Sequence, residues 1–400
     1  MKFDGEELML LELLKYSLAD DKEELPAASG GKPVNWDRLL VIARRHNVLS
    51  LLYPVCENKN FILPEPIQSE VQKAAVSAAK QSYRLLFLSK YLVYRLKENH
   101  IPVVLLKGVA TASFYPVAEY RKSGDVDLLL LDHDKLEECS RILTACGCAR
   151  REIQDALHHL TFQTESGIEI ELHTLLAEPF DNRKVNQYLE SLVRQCLPQV
   201  QWTEIMGVEL PVLAAGYHGY ELLVHMLQHF LRAGFGLKLL CDWVVFWNHE
   251  HPREECIKYL EMVYASGLKG FSDMVTLVCC EYLGLRRACV EWMEISRDYR
   301  IEEFMKEILE AEEFGRSAPE RMVVLRGRGV LAYIREFHHQ MRLGFPRVGR
   351  CFLLWPILWI LTFVRFVGNN RGVRKVSIKA VVSKAAQRSE IMEQMKLWKY

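Results

Sequence analysis

The sequence predicts a mostly helical α+β fold, in which a small mixed-sheet core is flanked by N-terminal helices and a C-terminal helical domain. Apolar residues recur at helical spacing in the first hundred residues and again from residue 217, whereas strand-like apolar runs lie between 101 and 173. Half of the 400 residues are apolar, enough to bury a large core. We therefore divide the chain into a helical region (1–100), an α/β core (101–215), a helical domain (216–335) and a basic tail with an apolar helix (336–400).

The N-terminal region is predicted to form helices at 5–19, 35–55 and about 65–98. In the first of these, acidic residues precede apolar residues spaced i, i+3, i+4. This pattern indicates an amphipathic helix and not a signal peptide. None of the three helices carries recognisable chemistry.

The α/β core is predicted from a change of pattern at residue 101. Residues 101–106 are apolar with one proline, as expected for a strand buried on both faces, and a short helix follows at Val109–Tyr115. A strand at 125–131, a helix at 134–146 and a hairpin of strands at 160–164 and 168–173 complete the unit. Beyond it, helices are predicted at 217–232, 237–249, 252–265, 270–284 and 300–313.

Charge and cysteine content restrict the classes of partner and compartment. Lys+Arg and Asp+Glu are equal at 51 each, so the total charge does not demand nucleic acid or an anionic surface. We find no specific nucleic-acid signal. The 11 cysteines include no pair at CxxC spacing, which predicts a reduced, cytoplasmic protein.

The basic residues are concentrated near the C-terminus. No Asp or Glu lies between Phe337 and Ser389, where ten basic residues occur: Arg342, Arg347, Arg350, Arg365, Arg371, Arg374, Lys375, Lys379, Lys384 and Arg388. The uncharged stretch 351–364 inside this segment is shorter than the roughly 20 residues that span a bilayer. Two interpretations stay open. One is an interfacial helix with peripheral membrane contact through 342–388 at the inner face, and the other is a buried helix of the C-terminal domain.

Two aspartates begin the second predicted strand. In a strand, residues i and i+2 point to the same face about 7 Å apart, so Asp125 and Asp127 project together while Val126 and Leu128 enter the core. Such a pair suits a metal triphosphate, because Mg²⁺ uses a few carboxylate oxygens and completes its shell with water and phosphate oxygens. A solvated strand end with an Asp-rich turn is the other interpretation of the pair taken alone.

The second strand of the predicted hairpin alternates strictly. Its polar face carries Glu169, Glu171 and His173, and its other face carries Ile168, Ile170 and Leu172. A third carboxylate binds the metal that activates the attacking hydroxyl in two-metal phosphoryl transfer. Glu171 is our candidate for that carboxylate, although an exposed strand face also explains the alternation.

A lysine and a glycine follow the first predicted strand. Lys107 and Gly108 stand at a strand-to-helix turn, and helix N-termini favour phosphate. Lys107 and Arg121 would neutralise a triphosphate and its leaving pyrophosphate. Ordinary surface charge is the alternative for both side chains.

Four motifs follow one another along this part of the chain: Leu106-Lys107-Gly108, Tyr115-Pro116, Arg121-x-x-Gly124-Asp125-x-Asp127 and Glu171-Leu172-His173. Together they resemble the uncharacterised bacterial nucleotidyltransferase family of the DNA polymerase β-like superfamily, over roughly 35–250. The resemblance implies a nucleotidyltransferase core with two Mg²⁺ ions, or Mn²⁺. It makes Asp125 and Asp127 the paired metal ligands and Glu171 the third carboxylate.

The same resemblance assigns one of the predicted nucleotide-binding residues. Gly108 corresponds to the glycine of the superfamily's Gly-Ser or Gly-Gly element. With Lys107, Arg121, Gly124 and His173, all of which lie in the motifs above, it forms the set of residues that we predict to bind the nucleotide. The sequence departs from the pattern at the next position, where Val109 stands in place of Ser or Gly. Backbone N–H groups and the Lys107 ammonium would then have to bind the phosphates.

Several other polar residues have a structural interpretation that we prefer. His225 and His229 are four apart on a predicted helix, but Met226 stands where a zinc-protease motif requires Glu, so we do not expect a metal there. For His158 and His159 a structural role is also favoured over a place in the site. Lys238 and Asp242, again four apart, are predicted to form a pair on the helix surface.

These observations predict an enzyme that transfers a nucleotidyl group from an Mg²⁺-bound NTP, with ATP as the expected donor, to an acceptor hydroxyl. Nothing in the sequence identifies the acceptor. A non-catalytic nucleotide-binding or membrane-surface scaffold protein is the second hypothesis, which the Val109 departure supports. A glycosyltransferase is the third, but there the apolar strand usually leads into the DxD, whereas here it follows the DxD.

Overall fold

The computed structural model describes residues 3–20, 34–151, 159–180, 182–232, 234–295, 299–311, 351–368 and 388–397, with a few single residues between 334 and 348. These residues form a mostly helical fold around one seven-stranded mixed sheet. The predicted fold class is confirmed. The helices are α1 (Gly5–Leu18), α2 (Trp36–Arg45), α3 (Tyr53–Cys56), α4 (Glu65–Glu98), α5 (Lys107–Ala112), α6 (Leu136–Ala145), α7 (Arg183–Cys196), α8 (Ala215–Arg232), α9 (Leu237–Asn248), α10 (Arg253–Ala265), α11 (Lys269–Tyr282), α12 (Ile301–Ala311) and α13 (Trp355–Gly368).

The strands of the sheet are β1 (Val103–Leu106), β2 (Asp125–Leu130), β3 (Cys148–Arg151), β4 (His159–Thr164), β5 (Glu169–His173), β6 (Gln201–Ile205) and β7 (Val208–Val212). Their order is β3-β4-β5-β2-β1-β7-β6. The central strand β2 runs antiparallel to β1 and parallel to β5. This arrangement puts the ends of β1, β2 and β5 that carry polar residues at one edge of the sheet.

Three strands and one helix were not predicted from the sequence: β3, β6, β7 and α7. The hairpin of β6 and β7 turns at Met206 and Gly207, which both have positive φ, at 47° and 77°. Two-residue hairpin turns favour positive φ at both central residues. Methionine is not typical of such turns, so the sequence did not indicate one here. The predicted helix 35–55 is also interrupted, because Asn47 adopts a φ of 56° at the end of α2.

Both faces of the sheet are covered by apolar side chains. On one face, Leu105, Val126 and Leu128 belong to what we call the inner core, which includes apolar residues of α4 and α6. On the opposite face, Leu106 and Leu129 belong to the outer core, with residues of α1, α2 and α8 to α12. Because side chains alternate along a strand, Asp125 and Asp127 share the face of Leu129. They therefore point towards the helices of the outer core.

The outer core joins helices from both ends of the chain. Leu10 and Leu14 of α1 are buried in it together with Trp243 of α9 and Met274 of α11. The predicted N-terminal region and the predicted helical domain thus share one core, while the boundaries proposed at 100, 215 and 335 stay predictions. The 11 cysteines are all free thiols, and the cytoplasmic location also stays a prediction.

Helices α8 and α9 meet at Gly219. A Cβ atom placed there would lie 2.6 Å from Cζ2 of Trp247 and 3.0 Å from Cε1 of Phe246, and both aromatic residues are buried. We expect Gly219→Ala to lower the free energy of unfolding by about 1–3 kcal/mol, because overpacking outweighs the better helix propensity of alanine. Equilibrium denaturation in urea measures the change.

The matched control for this substitution is Gly5→Ala in the first turn of α1, where a new Cβ would meet nothing within 4 Å. That variant is expected to be as stable as the wild type or slightly more stable. Equal stability of the two variants would contradict the close approach of α8 and α9 at Gly219.

The apolar helix near the C-terminus is exposed. Phe352, Leu353 and Ile360 are 69%, 71% and 65% exposed, whereas Leu358 is 6% exposed. The structure therefore contradicts the interpretation of 351–364 as a buried helix. Leu358 is buried, but most of the apolar side chains of this segment are exposed. Within the described residues, no helix combines the length and the apolarity that crossing a bilayer requires.

Candidate active site

A cleft of about 390 Å³ lies between the polar edge of the sheet and helices α8 and α9. All the predicted site residues except Gly124 line it. Gly124 is exposed, and a Cβ there would meet nothing within 4 Å, so its role in nucleotide binding stays a prediction. The predicted residues lining the cleft are Lys107, Gly108, Arg121, Asp125, Asp127, Glu171 and His173.

The strand register brings the carboxylates together. Asp125 pairs with Glu169 and Asp127 pairs with Glu171 across the parallel strands β2 and β5. Adjacent strands lie about 4.8 Å apart, so side chains of paired residues on the same face are neighbours. Apolar residues at the alternate positions fix this register, because a slip by one residue would move the acids into the inner core and the leucines to the cleft side.

Asp127 is held by two donors. Nζ of Lys107 donates to its Oδ1 at 3.3 Å, and Nε2 of His173 lies 2.8 Å from the same oxygen. Burial alone would raise the pKa of Asp127, but the Lys107 ammonium and the His173 hydrogen bond hold it well below its usual range. Asp127 is therefore an ionised and immobilised carboxylate at neutral pH.

The other two carboxylates differ from Asp127 in their environment. Burial and the negative charge of Asp127 raise the pKa of Asp125 to about 6. Burial also opposes ionisation of Glu171, but the hydrogen bond from His173 lowers its pKa overall, with Nε2 of His173 3.1 Å from Oε2 of Glu171. His173 thus bridges Asp127 and Glu171, and these carboxylates raise its own pKa against the opposing effects of burial and Lys107.

Lys107 reaches Asp127 from an unusual backbone conformation. Its φ is 41°, in the left-handed region that residues with a side chain rarely occupy. Strain of this kind persists where the surroundings enforce it, often at functional sites. Helix α5 is only six residues long and is broken at Gly108, so it offers little dipole to a phosphate. The side chain of Val109 is buried in the inner core, away from the cleft.

Arg121 does not have the environment predicted for a phosphate ligand. Its guanidinium forms a bidentate pair with Asp242, with Nε to Oδ1 at 2.7 Å and Nη2 to Oδ2 at 2.8 Å. Nη1 donates to the carbonyl of Gly108 at 3.1 Å and to Ser123. Arg121 and Asp242 are 3% and 1% exposed. Four of the five N–H groups of the guanidinium thus have partners within the protein, which leaves one for a phosphate.

The same pair overturns the prediction for Asp242. We expected a surface pair with Lys238, whereas Asp242 is buried and accepts hydrogen bonds from Arg121 and from the Tyr115 hydroxyl at 2.7 Å. Spacing of four residues indicates neighbours on one helix, but a buried guanidinium needs a carboxylate more than an exposed ammonium does. Lys238 itself lines the cleft.

Histidines that we had given a structural role also line the cleft. His225 and His229 of α8 do so, with their ring centroids 4.5 Å apart, and burial lowers the pKa of both imidazoles. His159 lines the cleft as well, with Nε2 4.0 Å from Oε1 of Glu171, whereas His158 lies outside the described residues. For His225 and His229, the sequence feature that could have indicated this position is their four-residue spacing, which puts both on one face of α8.

Sequence reasoning missed Glu221, which lies one turn before His225 on α8. It is 1% exposed, and neither carboxylate oxygen has a hydrogen-bond partner among the described residues. Burial raises its pKa from an ordinary 4.5 to about 7, although the Lys107 charge lowers it. The folded state therefore binds more protons than the unfolded state between these pH values, and stability falls as pH rises from about 4.5 to about 7.

We expect Glu221→Gln to remove this part of the pH dependence. Between pH 4 and pH 8, the stability of the variant relative to the wild type should rise by on the order of 2–3 kcal/mol. Denaturant unfolding at both pH values measures it. The exposed Glu209→Gln serves as the control and should show no such rise. If the stability of the variant relative to the wild type is the same at both pH values, burial of an ionisable Glu221 is contradicted.

The donor set of the cleft fits a divalent metal. Asp125, Asp127 and Glu171 converge there, and burial together with the negative charge of Asp127 raises the pKa of Asp125. Oxygen ligands of this kind suit Mg²⁺ or Mn²⁺. His159, Glu171 and His173 form a second group, with ligand atoms within 4.8 Å of one another, whose imidazoles suit a transition metal better. Glu171 belongs to both groups.

The sequence matches the uncharacterised nucleotidyltransferase family over residues 32–284, more than half of the chain. The chain belongs to this family. Its matched region includes every residue that lines the cleft. No curated protein is similar to this nucleotidyltransferase-family chain at a significant level.

Among solved structures, the chain is similar to an antigenic nucleotidyltransferase-like protein from Paracoccidioides brasiliensis, with 15% identity and a TM-score of 0.31. The similarity covers 52% of this chain and 96% of that chain. At this TM-score the likeness adds nothing to the site described above.

Proposed function

We propose that the protein transfers a nucleotidyl group from an NTP, with ATP as the expected donor, to an acceptor hydroxyl. The observation that carries the proposal is the convergence of Asp125, Asp127 and Glu171 with Lys107 in one cleft of a nucleotidyltransferase-family chain. The same set of three carboxylates supports a place in the DNA polymerase β-like superfamily, and a bacterial origin is part of the same proposal.

The metal ligands of the proposed site are the three carboxylates. Asp125 and Asp127 would hold two Mg²⁺ or Mn²⁺ ions, with Glu171 as a further ligand of one. Bound there, the ions would supply charge neutralisation for the triphosphate and activation of the acceptor hydroxyl. The strands fix the three side chains before any ligand arrives, which reduces the cost of ordering them.

The residues of the chain have distinct tasks in the proposed transfer. Lys107 places a buried positive charge beside Asp127, where the phosphates would lie. A bond forms between the acceptor oxygen and the α-phosphorus, the bond to the bridging oxygen breaks, and pyrophosphate leaves. Glu171 orients the acceptor hydroxyl or receives its proton. His173 keeps Asp127 and Glu171 oriented through its hydrogen bonds.

Transfer of label from an α-labelled NTP tests the proposal. The protein is incubated with Mg²⁺, labelled ATP and the small-molecule and RNA fractions of a cell extract, and label outside ATP and AMP is followed. We expect a labelled product that disappears in Asp125→Ala and in Asp127→Ala. Transfer that survives both substitutions would exclude this site. Metal-dependent NTP binding without any product would instead favour the non-catalytic nucleotide-binding hypothesis.

A further inference from the structure

A second and larger cleft adjoins the candidate active site. Its volume is about 660 Å³, and we call it the basic groove. Ser123 lines both the basic groove and the active-site cleft. The residues lining the basic groove are Arg44, Asn47, Leu49, Ser50, Ala74, Ser77, Ala78, Lys80, Gln81, Arg84, Lys122 and Ser123.

The charge of the basic groove has one sign. Among the described residues that line it, four are cationic and none is acidic. Arg44 pairs with Glu70 outside the lining, whereas Lys122 donates to the neutral Asn47 at 2.6 Å and Arg84 to the neutral Gln81 at 3.3 Å. Cationic side chains that converge without a carboxylate among them attract an anion, and phosphate suits both Lys and Arg.

The wall between the two clefts is a fixed loop. The hydroxyl of Ser50 donates to the Tyr120 carbonyl at 2.7 Å, and the hydroxyl of Ser82 donates to the Glu119 carbonyl at 3.1 Å. Arg121 holds the next part of the loop through Asp242 and Ser123. The loop runs directly into Asp125. A ligand anchored in the basic groove would therefore lie beside the reacting centre.

We propose that the basic groove binds the phosphate group of the acceptor, so that the acceptor is a phosphate-bearing hydroxyl compound. This inference rests on the proposed nucleotidyl transfer. The volume of the groove is in the range of small-molecule sites, and Leu49, Ala74 and Ala78 give it an apolar floor for the body of such a compound. Lys80, Arg84 and Lys122 hold the phosphate while the hydroxyl reaches past Ser123.

Binding of inorganic pyrophosphate in the presence of EDTA tests the groove separately from transfer. Without metal the carboxylates of the active site repel an anion, so calorimetry reports the basic groove. We expect binding in the wild type and in Asp125→Ala, weakened at least tenfold in the double variant Lys80→Gln/Arg84→Gln. Lys90→Gln, an exposed lysine of α4 outside the groove, is the control and should bind as the wild type does. Binding that ignores the double substitution, or no binding at all, would overturn the proposal.

Phosphatase treatment of the extract tests the acceptor role. The small-molecule fraction is dephosphorylated, the phosphatase is removed, and labelled ATP is then added. We expect the labelled product to be lost, and the KM for untreated acceptor to rise at least tenfold in Lys80→Gln/Arg84→Gln without a change in kcat. Undiminished labelling after dephosphorylation contradicts the proposal. Labelling that is confined to the RNA fraction also contradicts it. Failure of nucleotidyl transfer itself would leave the pyrophosphate result intact.

A different observation carries a second inference, about helix α13. Exposed apolar residues of α13 and of the helical turn directly before it form what we call the apolar face: Phe352, Leu353, Ile357, Ile360, Phe363 and Val364, each more than half exposed. The helix is 14 residues long, about 21 Å, too short to cross a bilayer. It lies within the segment where ten basic and no acidic residues occur.

We propose that the apolar face lies in the interface of an anionic lipid bilayer. Apolar and aromatic side chains enter the boundary between headgroups and acyl chains, and the flanking basic residues are attracted by anionic headgroups. Trp355 and Trp359 pack against His338, and the Trp359 indole donates to it at 3.2 Å, so the helix is tied to the preceding segment. The charge of the segment favours anionic lipid over a second copy of this basic region.

Sedimentation with lipid vesicles tests the second inference. We expect the full chain to bind vesicles of phosphatidylglycerol and phosphatidylcholine at low salt. Its binding to vesicles of phosphatidylcholine alone should be at least tenfold weaker. Ile360→Asp/Phe363→Asp should abolish binding, whereas Ile62→Asp, at an exposed isoleucine outside the face, should not. Equal binding to both vesicle types contradicts the proposal. So does concentration-dependent dimerisation that the double variant abolishes, because a second copy would then cover the face.

Discussion

Replacing Asp242 with alanine is expected to lower the free energy of unfolding by about 3–5 kcal/mol. The substitution leaves the guanidinium of Arg121, which is 3% exposed, without its bidentate partner and removes the acceptor of the Tyr115 hydroxyl. An unpaired buried charge costs far more than the pair contributes, because water no longer solvates it and nothing else neutralises it. Equilibrium denaturation in urea measures the loss.

Two further variants serve as controls for this prediction. In Arg121→Met/Asp242→Leu both charges are absent, so we expect most of the lost stability to return. Arg95→Ala removes one partner of an exposed pair, with Glu98 at 2.9 Å, and should change stability little because water screens both groups. If Asp242→Ala is no more destabilising than Arg95→Ala, the Arg121–Asp242 pair does not hold this part of the fold.

The pair also links stability to the geometry of the candidate site. Arg121 connects α9, through Asp242, to the carbonyl of Gly108 and to the hydroxyl of Ser123. Gly108 follows the lysine that contacts Asp127, and Ser123 belongs to the loop that leads into β2. Arg121, whose predicted role as a phosphate ligand stays a prediction, therefore also connects the segments that carry Lys107 and Asp125. Its loss should disturb Lys107 and Asp125 together.

The parts of the site that the sequence predicts are those set by local periodicity. The alternation in β2 and β5 correctly puts Asp127 and Glu171 on the face opposite Val126 and Ile170. The long helix α4 likewise has the predicted bounds, because prolines mark its start and its apolar spacing is regular over 34 residues. In both cases the feature that the sequence predicts depends on residue spacing within one helix or strand.

The parts that could not be predicted depend on contacts between distant segments. Arg121 and Asp242 are 121 residues apart, and four-residue spacing suggested Lys238 as the partner of Asp242 instead. Glu221 has no local feature that marks it as buried beside a lysine. Strand β7 joins the sheet next to β1 through a single parallel register pair, Leu105 with Val212. Each depends on how helices and strands pack, which periodicity does not encode.

Replacing Asp127 with asparagine is expected to lower kcat/KM for nucleotidyl transfer by about 10³-fold or more, as for the loss of a preorganised charged group. Asparagine has nearly the same size, so the effect comes from the charge. Asp127 is the carboxylate whose pKa lies well below its usual range, held by Lys107 at 3.3 Å and by His173 at 2.8 Å. Rates of label transfer at increasing Mg²⁺ concentration measure the change.

Substitutions near Asp127 distinguish the effect of losing a proposed metal ligand from the effect of losing a residue that orients it. His173→Gln removes a side chain that orients Asp127 and Glu171, and we expect a smaller loss, about 10–100-fold, which higher Mg²⁺ concentration partly restores. Glu169→Gln changes a carboxylate on the same face of β5 that does not line the cleft, and its rate should stay near that of the wild type. An Asp127→Asn variant that is folded and keeps its rate within tenfold would show that nucleotidyl transfer does not use these strands. The ranking of Asp127 over His173 over Glu169 follows from their contacts: Asp127 lines the cleft, His173 hydrogen-bonds to Asp127 and Glu171, and Glu169, although it pairs with Asp125 across β2 and β5, does not line the cleft.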